Sequence, residues 1–163
     1  VGLVPYNIIL EDIGTKMSST RGAYVDENYQ TSIPGIFACG NALHVHDLVD
    51  YVSEESNLAG LGAARYLKGE LKEDGAVTLT KNGNGISYVV PQQYRLDNIE
   101  DKIAFKFRVR KPYSGVKLVI KADGEVIKSM VKPHLLPAEM ETIKLPKSVL
   151  KEAKELTFEI KED

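Results

Sequence analysis

Three histidines, one cysteine and a few clustered carboxylates hold most of the reactive chemistry of this 163-residue chain. Two of the histidines stand together in HVHDLVD, His44 to Asp50. An imidazole pair two residues apart, followed at once by a carboxylate, is a donor set that metal sites use. A metal centre needs a further ligand from elsewhere, and the only other histidine, His134, lies in a segment of different character. The reading therefore assigns no metal ligand and no catalytic residue. Cys39 is the sole cysteine, which leaves no internal disulfide and no dithiol pair. It closes the apolar run Ile36-Phe37-Ala38-Cys39, where a lone thiol serves as a small hydrophobe.

These residues sit in TSIPGIFACGN, Thr31 to Asn41, and just beyond it. Pro34-Gly35 punctuates as a turn, residues 36–39 read as a short buried strand, and Gly40-Asn41 ends it abruptly. A glycine at that point lets the main chain approach a ligand closely, because it has no Cβ. From Asp47 the pattern becomes helical: Leu48, Val49, Val52, Leu58, Leu61, Ala64 and Leu67 recur at three- and four-residue intervals. The spacing predicts a helix over roughly 48–68, with Asp47 as N-cap, acidic residues near its start and Lys68-Gly69 as its stop. A kink is expected near Ser53. The small residues of GLGAAR, from Gly60, are expected to serve close helix packing.

Bulk composition is that of an ordinary globular chain, 43% hydrophobic and 27% charged. No apolar run approaches the ~20 residues of a membrane span and no signal peptide is visible. A single cysteine suits a reducing compartment, and a cytoplasmic location is expected. The chain opens without an initiator Met and is already hydrophobic at VGLVP, which reads as a cut through a longer protein. Residues 1–75 carry 5 basic and 11 acidic side chains, and residues 76–163 carry 16 and 12. That asymmetry supports two domains, and it is too weakly clustered for nucleic acid.

The polar, glycine-containing KGELKEDGA, residues 68–76, reads as a linker between domains at 1–75 and 76–163. Beyond it the texture is β. KIAFKFRVRK alternates, with Ile103, Phe105, Phe107 and Val109 on one face and Lys102, Lys106, Arg108 and Arg110 on the other. The stripe Lys106, Arg108, Arg110, Lys111 is expected to be solvated, with docking of an acidic partner as the alternative. Asp123-Gly124 joins two alternating runs as a hairpin. With AVTLT, ISYVV, METIKL and ELTFEIKE there are about seven short strands, and PKSVLKEA is expected to make a helical turn. The expected fold class is α+β: a truncated α/β remnant followed by an immunoglobulin-like β-sandwich, a small barrel being the alternative.

TSIPGIFACGN closely resembles the second flavin-binding motif, T-x-x-P-G-I-F-A-x-G-D, of FAD-dependent pyridine nucleotide-disulfide oxidoreductases of the glutathione and thioredoxin reductase type. VGLVPYN is similar to that family's G-x-x-P-N, GAYVDENYQTS to its G-x-x-V-D-x-x-x-x-T, and ESNLAGLGAARYL to its A-G-x-x-A-A-x-x-L helix. The resemblance covers about residues 1–69, in order. It implies that Gly40, Asn41, His46 and Asp47 line the cofactor. Gly40 would admit the flavin, Asn41 would stand where the family usually has Asp and reach the ribityl and phosphate region, and His46 would stabilise the reduced flavin beside Asp47. PHLLPAE, with His134 and Glu139, has the spacing of the family's interface His–Glu pair but lies among strands, and is expected to be a plain loop.

The family's N-terminal G-x-G-x-x-G and its nicotinamide-binding domain are absent from this chain. The resemblance therefore implies the C-terminal part of an FAD-dependent oxidoreductase. FAD would be held by the full-length parent, NAD(P) by a missing domain, and the fragment alone would be inactive. Implied partners are the missing flavin and nicotinamide domains and a second dehydrogenase subunit. A truncated sheet leaves strand edges open, so residues 1–75 are expected either to pack on the sandwich or to pair between chains as a homo-oligomer. The alternative is a non-catalytic β-sandwich serving interaction or assembly.

Overall fold

The computed structural model describes residues 4–162. The chain is mixed α+β and mostly β, with 38% strand against 19% helix, and its strands form two sheets. It divides into two compact units between Glu73 and Asp74. No helix of the described residues is long and apolar enough to cross a membrane.

The first unit is built from turns around one long helix. A five-residue helix, α1 (Ile8–Asp12), is followed by loops that touch only through isolated bridges, Met17 with Ala23 and Gln30 with Phe37. The expected strand over residues 36–39 is therefore reduced to one bridge, because the described residues of this unit include no neighbouring strand to extend the ladder. The expected strand end at GLVPY is likewise not formed over residues 4–6, and its first residues lie outside those described. Pro34-Gly35 does turn the chain. Gly35 adopts φ +79° and the Ile36 N–H donates to the Ile33 carbonyl, which is a type II turn with proline and glycine at their preferred positions.

The long helix, α2, spans Val49–Leu67. Its N-cap is Leu48 rather than Asp47, and no side chain caps it. Its C-terminus closes as a Schellman motif: Gly69 takes φ +69°, its N–H donates to the Tyr66 carbonyl, and the Glu70 N–H donates to that of Arg65. The Ser53 hydroxyl donates back to the Val49 carbonyl at 3.2 Å. The buried face of α2 is not the apolar stripe its periodicity suggests. Glu55, Ala59 and Gly62 are buried, whereas Leu48, Val49, Leu58, Leu61 and Leu67 are exposed, Val49 to 76% and Leu67 to 84%. Loop backbone, rather than another apolar element, packs on this helix, so small residues and one carboxylate fit where leucine would not.

Gly60 and Gly62 separate cleanly in this packing. A Cβ on Gly62 would lie 2.3 Å from the Asn28 carbonyl oxygen, whereas one on Gly60 would meet nothing within 4 Å. Gly62→Ala is thus expected to destabilise the first unit, while Gly60→Ala is expected to stabilise it by roughly 0.5–1 kcal/mol through helix propensity. Thermal melts followed by helical circular dichroism check the opposite signs.

The second unit is a sandwich of two sheets. Its strands are β1 (Val77–Asn82), β2 (Ile86–Val90), β3 (Gln93–Arg95), β4 (Lys102–Val109), β5 (Tyr113–Ala122), β6 (Glu125–Leu135), β7 (Glu141–Pro146) and β8 (Glu155–Lys161). The five-stranded sheet runs β3-β1-β8-β5-β6 and the three-stranded sheet β2-β4-β7. All pairs are antiparallel except β1 with β8. Alternation places Phe105 and Phe107 of β4 and Phe158 of β8 in one core. The Phe105 and Phe158 ring centroids lie 5.1 Å apart across the two sheets.

The strand order is not that of an immunoglobulin domain, where consecutive strands form hairpins within both sheets. Here the three-stranded sheet contains no two consecutive strands. The Asp123-Gly124 hairpin forms as expected, with both residues at positive φ, 46° and 87°, the signature of a type I′ turn. PKSVLKEA makes only a tight turn, closed by Val149 N–H to Pro146 and Leu150 N–H to Lys147.

The expected wet stripe on β4 is only partly wet. Arg110 and Lys111 are exposed, but Lys106 is 3% exposed, and Arg108 is half-buried, donating to the Tyr88 hydroxyl and the Pro137 carbonyl. His134 is exposed on β6, with Nδ1 3.3 Å from the Ser114 hydroxyl, so it lies in a strand rather than a loop.

Candidate functional site

The residues with chemical potential converge in the first unit on one carboxylate, Glu55 of α2. Gly40 takes φ +64° and opens a single 3-10 turn over Gly40–Ala42. Its N–H donates to Glu55 Oε1 at 2.8 Å. His44 Nε2 lies 2.9 Å from Glu55 Oε2, and His46 Nε2 lies 3.1 Å from Oε1. The two imidazoles meet edge to face with centroids 4.5 Å apart. All three side chains are sealed from solvent, at 1% exposure for His44 and 0% for His46 and Glu55. His46 Nδ1 finds no hydrogen-bond partner among the described residues.

Three other segments tie into the same turn. The Asn7 side-chain amide donates to the carbonyls of Arg21 at 2.9 Å and Ala42 at 2.6 Å. The Thr20 hydroxyl donates to the Leu43 carbonyl at 2.9 Å. Gly22 lies so close to Leu43 that a Cβ would come within 1.8 Å of its carbonyl oxygen, so no other residue fits there without moving the backbone. Beyond it Asp26 accepts the N–H groups of Asn28 and Gln30, a closed turn that carries Tyr29 at φ 62°.

Of the residues singled out from sequence, Gly40, Asn41 and His46 come together. Asn41 is exposed, and its Oδ1 accepts the His46 backbone N–H at 3.1 Å. Asp47 is exposed just beyond, at the approach to α2. Cys39 is half-buried at the start of the 3-10 turn rather than in a buried strand, with its thiol 3.5 Å from the Ser56 hydroxyl. Sequence reasoning missed Glu55 as a site residue. In sequence it is one of several acids near the helix start, and the one signal for it is the i, i+4, i+7 spacing of Glu55, Ala59 and Gly62 along a face of small residues.

Burial raises the Tyr29 hydroxyl pKa strongly, and the negative charges of Glu55 and Glu54 and the neighbouring Cys39 push it the same way. Burial also raises Tyr24 and Tyr94. A phenol whose folded pKa lies above its unfolded value of about 10 stabilises fully below that pH. As pH rises past it, the unfolded chain releases protons that the folded chain keeps, and stability falls. Stability is therefore expected to drop steeply above about pH 10. Tyr29→Phe is expected to flatten that drop, measured as the denaturation midpoint against pH.

The arrangement gives a turn in which Gly40 is buried with its N–H bound to Glu55, while Asn41 beside it is exposed, above a buried acid that meets two imidazoles. No family model, curated protein or solved structure matches the chain.

Proposed function

We propose that the first unit is the terminal part of the flavin domain of an FAD-dependent oxidoreductase of the pyridine nucleotide type. The second unit is then an appended β-sandwich, and NAD(P) and most of the FAD are held by domains outside this chain. One observation carries the reading. The separate segments that resemble flavin-domain motifs, at Asn7, Gly22, Gly40 to His46 and α2, meet at a single turn. Asn41 stands exposed on that turn, with its amide available to the hydroxyls of a ribityl chain. Asn41 takes the cofactor side on the turn set by buried Gly40; the ring of His46, expected beside the reduced flavin, is instead sealed against Glu55, and Asp47 is exposed at the approach to α2. The uncovered apolar side chains of α2 support the same reading, since the absent part of a flavin domain would cover them.

In such a protein hydride passes between nicotinamide and flavin, and electrons go on to a second acceptor or subunit. The absence of a cysteine pair in this chain favours a dehydrogenase-type role over dithiol chemistry. The cytoplasm suits that role, as does assembly into homo-oligomers or beside a second dehydrogenase subunit.

The test is the colour of the purified full-length gene product. Flavin absorbance, with FAD released on denaturation, is the expected result. Asn41→Leu is expected to weaken FAD binding by about tenfold, a loss of ~1.4 kcal/mol. A full-length product without flavin overturns the reading.

A further inference from the structure

We propose that His44, His46 and Glu55 form a binding site for a single divalent ion of the zinc type. The inference stands apart from the flavin reading, since it rests only on these three side chains and the groups that hold them. HVH by itself lacks a third ligand from another element; Glu55, reaching in from α2, supplies it.

Two of the donor separations suit an ion. Two ligands each about 2.0–2.1 Å from zinc stand roughly 2.9–3.4 Å apart at right-angled to tetrahedral geometry. The His44 Nε2 to Oε2 and His46 Nε2 to Oε1 separations are 2.9 and 3.1 Å. The ligand atoms of all three residues lie within 4.8 Å of one another, so the ion closes the site by drawing the imidazoles inward. Two neutral nitrogens with one carboxylate suit a borderline ion, whereas calcium and magnesium require oxygen ligands.

Burial and surroundings favour the same assignment. The sealed Glu55 carboxylate already meets the Gly40 N–H and both imidazoles, and a divalent ion would set positive charge against it within bonding distance. Outer contacts orient the ligands: the Gly40 N–H fixes Glu55 Oε1, and Asn41 Oδ1 fixes the backbone of His46. Three protein ligands leave a fourth position for water. The ion joins the 40–46 loop to α2, so it acts as a cross-link within the first unit.

The experiment uses the full chain and the metal alone. After loading with zinc sulfate and removal of excess, elemental analysis is expected to give about one zinc per chain, with a raised Tm that EDTA reverses. Glu55→Gln and His46→Gln are expected to weaken zinc binding by more than about 100-fold, since losing a ligand exceeds the effect of losing an outer contact. His134→Ala and Cys39→Ser are expected to leave it unchanged. Should the ligand variants fail to fold, the wild-type chain decides through its cobalt(II) spectrum. Intense visible bands of a low-symmetry, four-coordinate ion are expected. Their absence at saturating cobalt, substoichiometric zinc, or full zinc retention by a folded ligand variant overturns the site.

Discussion

Replacing Glu55 with Ala is expected to melt the first unit while leaving the sandwich folded. The substitution removes the acceptor for the Gly40 N–H and strands two sealed imidazoles that now face one carboxylate. Leaving a buried donor without its acceptor costs about 1–3 kcal/mol, and three such groups lose theirs at once, which approaches the whole stability of a small unit. The measurement is selective, because every α-helix of the described residues lies before Glu73. Helical circular dichroism should collapse at a lower temperature, while the strand signal persists. Performed in EDTA, the experiment reports the protein contacts alone. A Glu55→Ala protein that melts like wild type would show that the clamp contributes nothing to holding the turn.

Truncating Phe158 to Ala is expected to have the matching effect on the second unit. Its ring is fully buried between the sheets, 5.1 Å from Phe105 and 6.2 Å from Phe107, in a core built from both sheets. Large-to-small truncation of a buried phenylalanine costs about 3–5 kcal/mol, through lost transfer energy and the cavity that remains. The denaturation midpoint of the strand signal should fall accordingly, with the helical signal unmoved. Val126→Ala, on the exposed part of β6, serves as the contrast and should stay within about 0.5 kcal/mol. Equal losses at the two positions would refute the two-sheet core.

Local pattern suffices where its cause is local. In the second unit, period-two alternation identified Ile103, Phe105, Phe107 and Val109 as core, and all four are buried. Asp123-Gly124 identified its hairpin because only residues tolerant of positive φ make a type I′ turn. Alternation says which face of a strand is buried, but not which strand lies beside it. The parallel pairing of β1 with β8, across some seventy residues, left no local trace, and the expected immunoglobulin-like order gave way to another.

In the first unit the helix was legible and its orientation was not. Apolar spacing located α2 to within a residue at each end, yet Leu58, Leu61 and Leu67 are exposed. What packs on α2 is the backbone of loops around Asn28 and Gly40, which admits Gly62, Ala59 and one carboxylate and excludes leucine.

By itself, then, the sequence determined the elements whose cause is local: the turns at Pro34-Gly35 and Asp123-Gly124, the helix stop at Gly69, and the alternating strands. It also placed the two histidines beside a glycine turn. Tertiary structure alone decided that Glu55, nine residues beyond His46, turns back to sit between both imidazoles and the Gly40 amide. The physical reason is that a buried carboxylate is tolerated only where several donors meet it at once, and no local pattern encodes that meeting.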